Sequence, residues 1–211
     1  MPCFRPEELR AFGYRLFGAA GCGPEESRVV VDHLVEAALM GHDSHGIIRF
    51  YEYMRQIRAG TFTPGARPTV IREAPCVAQV DGNGAMGQVA GAFAAELAIE
   101  KARAHGVGVV SLRNCSHLGR IGAYPMLAAQ VGMLGLAYVN AGRLGYQIAP
   151  FGGIDGKLST NPISFAAPRR NADPILVDLT ASVIAEGKLR VAINAGKPVP
   201  EGWIIDHAGR P

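Results

Sequence analysis

The repeat of apolar residues changes in this 211-residue chain at a loop over 61–68 that contains two prolines and a glycine. Before the loop, apolar residues recur with the 3.6-residue period of helices over 5–20, 25–40 and 44–60. After it, short β-branched runs alternate with helical segments. The pattern predicts an α/β protein with an N-terminal helical lobe (1–68) and a mixed-sheet α/β layer (69–211).

The predicted elements of the second part follow from the same periodicities. Glycine or proline separates most of them, as expected at helix ends and turns. Helices are predicted over 86–105, 120–131 and 180–195, and strands over 69–73, 76–80, 107–112, 133–139, 158–166 and 175–179. The β-branched run over 107–112 is typical of a buried strand.

The third helix carries the most reactive side chains. In a continuous helix His45, Arg49 and Tyr53 would stand one above the next, opposite an apolar side of Ile47, Phe50, Tyr51, Met54 and Ile57. An imidazole moves protons near neutral pH, and a guanidinium holds a carboxylate through two hydrogen bonds. These groups suit a small carboxylic acid with a hydroxyl or keto group. The alternative is a solvated face on which Arg49 pairs with Glu52.

The composition excludes several functions. A net charge of +3, with Lys and Arg scattered along the chain, predicts no nucleic-acid or membrane surface, and no apolar run approaches the ~20 residues that cross a bilayer. Four cysteines without CxxC spacing, in a chain without a signal peptide, predict a reduced, cytoplasmic protein.

The segment 82–87 matches the dinucleotide-binding pattern GxGxxG between a predicted strand and a predicted helix. The acidic residue that would bind a ribose is missing, and Arg113 stands there instead, where it could meet a 2′-phosphate. Asp-Gly and Asn-Gly are favoured in tight turns. We therefore prefer to interpret these glycines as a tight turn rather than as a Rossmann fingerprint.

Three further segments place polar residues at the ends of predicted strands. They contain His117 after the strand over 107–112, Thr160 and Asn161 at the start of another strand, and Asp178, Thr180 and Ser182 at a strand-to-helix junction. Such positions bind anions or hold catalytic groups. Backbone capping and ordinary turns use the same residues. A metal site formed by His42, Asp43 and His45 lacks a recognised ligand spacing, and we predict none.

Four ordered segments together resemble one family. They are Ser44-His45-Gly46 with Arg49, Asn114-Cys115-Ser116-His117-Leu118-Gly119, Thr160-Asn161-Pro162, and Asp178-Leu179-Thr180-Ala181-Ser182 running on to Gly187-Lys188. They resemble the type 2 malate/L-lactate dehydrogenases, whose relatives include ureidoglycolate and sulfolactate dehydrogenases and cyclic-imine reductases. The resemblance implies a non-Rossmann, NAD- or NADP-dependent oxidoreductase of a 2-hydroxy/2-oxo acid, usually a homodimer.

By position, the resemblance implies a role for each matching residue. His45, supported by Ser44, resembles the proton donor or acceptor, and Arg49 the clamp for the substrate carboxylate. His117 resembles a histidine that is a base in some members and a cofactor contact in others. Tyr53 and Thr160 are expected on the substrate side, and the expected cofactor contacts are His117, Gly119, Asp178, Leu179 and Thr180.

Two departures from the family bear on function. Imine-reducing relatives tend to carry Asp where this chain has Lys188, which favours hydroxy-acid chemistry. Family members also continue past the position of residue 211, so we expect a C-terminally truncated chain. The alternative function is an inactive homologue that only binds or dimerises.

Overall fold

The computed structural model describes residues 3–140 and 146–211. Within them the helices are α1 (Pro6–Ala19), α2 (Pro24–Leu39), α3 (Arg49–Arg58), α4 (Gly87–His105), α5 (Ala123–Gln130) and α6 (Glu186–Asn194). The strands are β1 (Thr69–Ala74), β2 (Val77–Asp81), β3 (Val109–Arg113), β4 (Gly135–Tyr138), β5 (Pro162–Arg169) and β6 (Ala172–Thr180). The order of helices and strands confirms the predicted class.

The main core lies among the first three helices and the start of α4. Its buried side chains come from residues far apart in the sequence: Phe17, Cys22, Val30, Val31, Leu34, Val35, Phe50, Tyr53 and Met86. Phe17 and Phe50 meet edge to face with ring centroids 5.7 Å apart. At Gly13 a Cβ would lie 2.7 Å from Val31 Cγ1, so α1 packs closely on its neighbours only because this residue is glycine.

The loop over 61–68 is tied to the elements on both sides. The Gly65 N–H donates to Glu26 Oε2 at 2.9 Å, and the Thr63 N–H donates to the Gly84 carbonyl at 3.1 Å. Glu26 is buried near the start of α2, where Oε2 also accepts from the Gly23 N–H. These bonds hold the loop against α2 and the start of α4. A domain boundary at residue 68 stays a prediction.

The strands form two three-stranded sheets rather than one layer. In the first, β1 and β2 are antiparallel, and β2 pairs in parallel with β3 through the crossover helix α4. In the second, β4, β5 and β6 form an antiparallel meander. The period of apolar residues located the strands. It could not show that they form two separate sheets, because strand pairing joins residues that are distant in sequence.

The prediction that β3 is a buried strand is wrong for the described chain. β3 lies at the edge of its sheet, and α4 packs against it. Val109 is 57% exposed on the other side. A β-branched run therefore predicted the strand but not the burial of both faces.

Candidate active site

His45 lies in a short 3₁₀ turn, Asp43–His45, that packs against α2. Gly46 makes this possible, because a Cβ there would lie 2.8 Å from the Ala38 Cβ. Ser44 is buried, and its Oγ is 2.9 Å from His45 Nδ1. Desolvation first, then the charges of Arg49, His42 and Lys188, lower the pKa of His45 to about 4. The imidazole is therefore neutral at pH 7, and its ring is oriented by Ser44.

The predicted continuous helix over 44–60 is wrong, because α3 begins only at Arg49. Its predicted faces are also wrong in part. Arg49 and Tyr53 are 6% and 0% exposed, whereas Tyr51, assigned to the apolar side, is 73% exposed. The two buried polar side chains find partners within the protein, and local periodicity cannot reveal those partners. His45 therefore does not stand one helical turn before Arg49.

Arg49 is held beside His45 by three neighbours. Its Nε donates to the Ser44 carbonyl at 2.7 Å, and its Nη1 donates to Glu52, the pair expected for a solvated face, although here Arg49 is buried and Glu52 is half-buried. Gly187, near the start of α6, packs against both Arg49 and Ser44. A Cβ at this position would be 2.8 Å from Arg49 Nη2 and from Ser44 Cβ. Two edges of the guanidinium are thus occupied within the chain, and its charge stays next to His45.

His117 lies in the loop after β3 and meets His45. Their rings are stacked, with centroids 5.4 Å apart and planes inclined by 23°. His117 Nδ1 is 2.8 Å from Tyr53 Oη and accepts from the Gly119 N–H at 3.2 Å. Desolvation first, then Arg49 and the neighbouring histidines, lower the pKa of His117. Measured over the whole residue, His117 is nevertheless exposed at the surface of the described chain.

The glycine pattern over 82–87 forms a tight turn behind His117. Asn83 and Gly84 have positive φ angles of 53° and 76°, and Asp81 Oδ1 accepts from the Asn83 N–H at 2.9 Å. At Gly87 a Cβ would lie 2.3 Å from the His117 carbonyl oxygen. These glycines therefore let two loops pack together, as a turn predicts. Arg113, considered for a 2′-phosphate, pairs with Asp81 at 3.2 Å.

Two of the predicted cofactor segments lie together. The Gly122 N–H, just before α5, donates to Asp178 Oδ2 on β6 at 2.7 Å. This bond joins the loop that follows His117 to the strand that carries Leu179 and Thr180. Thr180 Oγ1 lies 3.0 Å from Ser182 Oγ, a local contact of the kind expected at a strand end. Thr160 is half-buried before β5, and among the described residues no hydrogen bond joins it to either histidine.

Sequence reasoning missed the polar residues behind the histidines. Gln88, which is 1% exposed, donates from Nε2 to Tyr53 Oη at 2.9 Å. His33 Nε2 accepts from the Arg120 N–H at 2.9 Å, and burial first lowers the pKa of His33 to about 3. The buried Arg120 side chain donates to Glu36 at 3.0 Å. A polar residue inside an apolar run, as at Gln88, was the available signal.

The described residues contain no cluster of three or more His, Cys, Asp or Glu side chains that could hold a metal ion. In the same ranges, no helix has both the length and the apolar character needed to span a membrane.

Solved structures show which proteins share this fold. The chain superposes on malate dehydrogenase from Entamoeba histolytica with a TM-score of 0.94 and 34% identity, covering 100% of this chain and 58% of that one. It superposes on δ1-piperideine-2-carboxylate reductase from Pseudomonas syringae with a TM-score of 0.89 and 30% identity, covering 100% and 63%. The chain thus has the fold of the malate/lactate dehydrogenase-like proteins, which is not a Rossmann fold.

Sequence comparison narrows that class. The chain belongs to the malate/L-lactate dehydrogenase family, whose sequence profile matches residues 4–211. It is 41% identical over 203 residues to malate dehydrogenase from Pyrococcus abyssi, which covers 96% of this chain and 55% of that protein. The chain thus spans little more than half the length of these relatives.

Proposed function

We propose that the chain carries the proton-transfer and part of the cofactor-binding machinery of an NAD- or NADP-dependent 2-hydroxy acid dehydrogenase. The observation that supports this most directly is the stacking of His45 on His117 beside the buried Arg49. Family members named for malate, such as the protein from P. abyssi, make a malate- or lactate-like 2-hydroxy/2-oxo acid the proposed substrate.

His45 is the proposed acid-base residue. Its imidazole, neutral because its pKa is lowered to about 4, accepts the hydroxyl proton as the C2–H bond breaks and the C2–O double bond forms. In the reverse direction the imidazolium returns that proton to the alkoxide oxygen. Ser44, at 2.9 Å from Nδ1, orients the ring. The proton thus goes to His45, and the hydride from C2 would go to the nicotinamide cofactor proposed below.

Arg49 is the proposed partner of the substrate carboxylate. Its Nε and Nη1 are bonded to Ser44 and Glu52 and Gly187 packs beside Nη2, so the proposal rests on the positive charge that this buried group keeps next to His45. After desolvation, which is the larger cause, this charge also lowers the pKa of His45, because a nearby cation disfavours a second positive charge. Thr160 is a further proposed substrate contact.

One hydrogen bond among the described residues supports a binding site for a nicotinamide dinucleotide. The loop after His117 and the strand of Asp178 and Leu179 are joined by the Gly122–Asp178 bond, so the two segments are in contact. His117, Gly119, Asp178, Leu179 and Thr180 would hold the group there. When bound, the cofactor supplies the hydride acceptor or donor.

We also propose a homodimer in the cytoplasm, supported by the family and by free thiols at Cys22, Cys76 and Cys115. A second candidate function is a non-catalytic homologue that only binds ligand or dimerises. The observation that favours it is the burial of Arg49, whose Nε and Nη1 are both bonded within the chain.

Titration of the 211-residue chain with NADH and NADPH tests the proposal. Nicotinamide fluorescence and the melting temperature report binding, and malate, lactate and sulfolactate are then screened for turnover. Saturable binding with turnover supports the dehydrogenase. Binding without turnover favours the second candidate, and a folded chain that binds neither dinucleotide contradicts the proposed cofactor surface.

A further inference from the structure

The hydrogen bonds around His117 determine which ring nitrogen carries its proton. The Gly119 N–H donates to His117 Nδ1 at 3.2 Å. A backbone N–H only donates, so Nδ1 must present its lone pair and carries no hydrogen. The Tyr53 hydroxyl, 2.8 Å from the same nitrogen, must then donate as well.

Gln88 supports the same direction of donation. Its Nε2 lies 2.9 Å from Tyr53 Oη and 3.3 Å from the His117 carbonyl oxygen. A carbonyl only accepts, so the NH₂ side of the amide must face both atoms, and the opposite amide orientation would set two acceptors together. Tyr53 Oη therefore accepts from Gln88. Of the two acceptors within reach of its own hydrogen, His117 Nδ1 at 2.8 Å is nearer than the His117 carbonyl oxygen at 3.4 Å.

The proton of a neutral His117 is thus left on Nε2. The pKa of His117 is lowered, first by desolvation and then by Arg49, so the ring holds a single proton. The pKa of the buried Tyr53 is raised, so its hydroxyl stays a donor. Among the described residues Nε2 has no hydrogen-bond partner, and His117 as a whole residue is exposed.

We infer that Tyr53 and Gln88 are positioning residues that fix His117 in its Nε2-protonated tautomer, as a hydrogen-bond donor to a carbonyl oxygen of the ligand. Proton transfer then belongs to His45. The tautomer follows from contacts within the chain, and only the ligand rests on the proposed function. The acceptor is either the carboxamide of a nicotinamide or the 2-oxo group of the acid. Both present a carbonyl oxygen that accepts a hydrogen bond.

Nitrogen NMR of the unliganded chain tests the tautomer directly. Long-range ¹H–¹⁵N correlation of the His117 ring distinguishes a protonated from an unprotonated nitrogen. We expect Nε2 protonated and Nδ1 unprotonated in the wild type. A proton on Nδ1, or on both nitrogens at pH 7, would overturn the inference whatever the chain binds.

Tyr53→Phe tests the positioning role, with Tyr51→Phe as the matched control, since Tyr51 lies on the same helix and is 73% exposed. Without the hydroxyl, the preference for the Nε2 tautomer should fall roughly fivefold, the worth of one neutral hydrogen bond. The two ring ¹⁵N shifts should then move toward each other. Tyr51→Phe should leave both unchanged, and unchanged shifts in Tyr53→Phe would remove Tyr53 from the role.

Gln88→Leu removes the hydrogen bond that Gln88 donates to Tyr53 Oη. It provides a second test of the positioning role if Tyr53→Phe does not fold. It should change the ring shifts in the same direction but less, because Tyr53 keeps its hydroxyl. The ligand arm uses acetylpyridine and the 2-oxo acids as separate probes of the His117 Nε2 shift. A dinucleotide that binds by nicotinamide fluorescence without moving the Nε2 shift contradicts the ligand assignment alone, whereas a folded chain that binds neither dinucleotide nor acid contradicts the proposed function and leaves the tautomer standing.

Discussion

The hydroxyl of Tyr53 and the Nδ1 of His117 lie 2.8 Å apart, joining a core helix to a loop that follows an edge strand. Tyr53 is wholly buried, whereas His117 as a whole residue is exposed. A reactive ring is thus anchored from inside the protein. The direct substrate contact predicted for Tyr53 stays a prediction.

His45→Ala should lower kcat by ~10²–10⁴-fold while the chain keeps its fold, because it removes the proposed general acid-base group. Steady-state kinetics with the best acid from the screen measures this. His105→Ala, at the exposed end of α4, is the matched control and should be neutral. An equal loss in both variants would contradict the role of His45.

Arg49→Ala should mainly raise KM, because the proposed carboxylate partner is lost. It should also cost about 1–3 kcal/mol in the free energy of unfolding, since the Ser44 carbonyl and Glu52 lose a buried donor. Kinetics and urea unfolding separate the two effects. Arg55→Ala, exposed on the same helix, should change neither; a fall in kcat alone for Arg49→Ala would refute the clamp.

Acid should weaken the fold between pH 6.5 and 4. The pKa values of His45 and His33 are lowered to about 4 and about 3, so below ~6.5 the unfolded chain binds protons that the folded chain does not. Stability is therefore fully present above that pH and is lost as pH falls, by up to ~1.4 kcal/mol per pH unit for each group. Urea unfolding across this range measures the slope.

His33→Gln should flatten that slope, whereas His105→Gln should leave it unchanged. A slope that is the same in the wild type and in His33→Gln would show that His33 is not a source of the acid sensitivity.

Gly187→Ala should destabilise the chain by about 1–3 kcal/mol, because the new Cβ would lie 2.8 Å from Arg49 Nη2 and Ser44 Cβ. Gly18→Ala is the control, since a Cβ at this position meets nothing within 4 Å. The substitution also removes a glycine from the helix α1. It should be neutral or stabilising. Equal melting temperatures for the two variants would contradict the packing of α6 on the 3₁₀ turn.

Lys188→Asp should raise the pKa of His45, because the lysine charge is among the groups that lower it and an aspartate reverses that effect. NMR titration of the His45 ring measures the change. Lys197→Asp, which is exposed beyond α6, provides a charge-matched control. A His45 pKa that is the same in both variants would show that Lys188 acts too far away to matter.

Most elements were predictable because their signals are local. The period of apolar residues located every helix and strand of the described chain, often to within a few residues. The break at Gly46 was not predictable, since it depends on the approach of Ala38 from α2. Nor was the burial of Arg49 and Tyr53, whose partners come from elsewhere in the chain. Both histidines were found by motif, but the contacts that orient them arise only on folding.

Adjacent backbone amides on one loop serve two different imidazoles. The Gly119 N–H donates to His117 Nδ1, and the next N–H, of Arg120, donates to His33 Nε2. An imidazolium can accept neither bond. Protonation of either ring by acid should therefore break the bond that the ring accepts, and the hydrogen-exchange rate of that peptide group should then rise. The order of this loop thereby depends on the protonation state of two side chains from different parts of the chain.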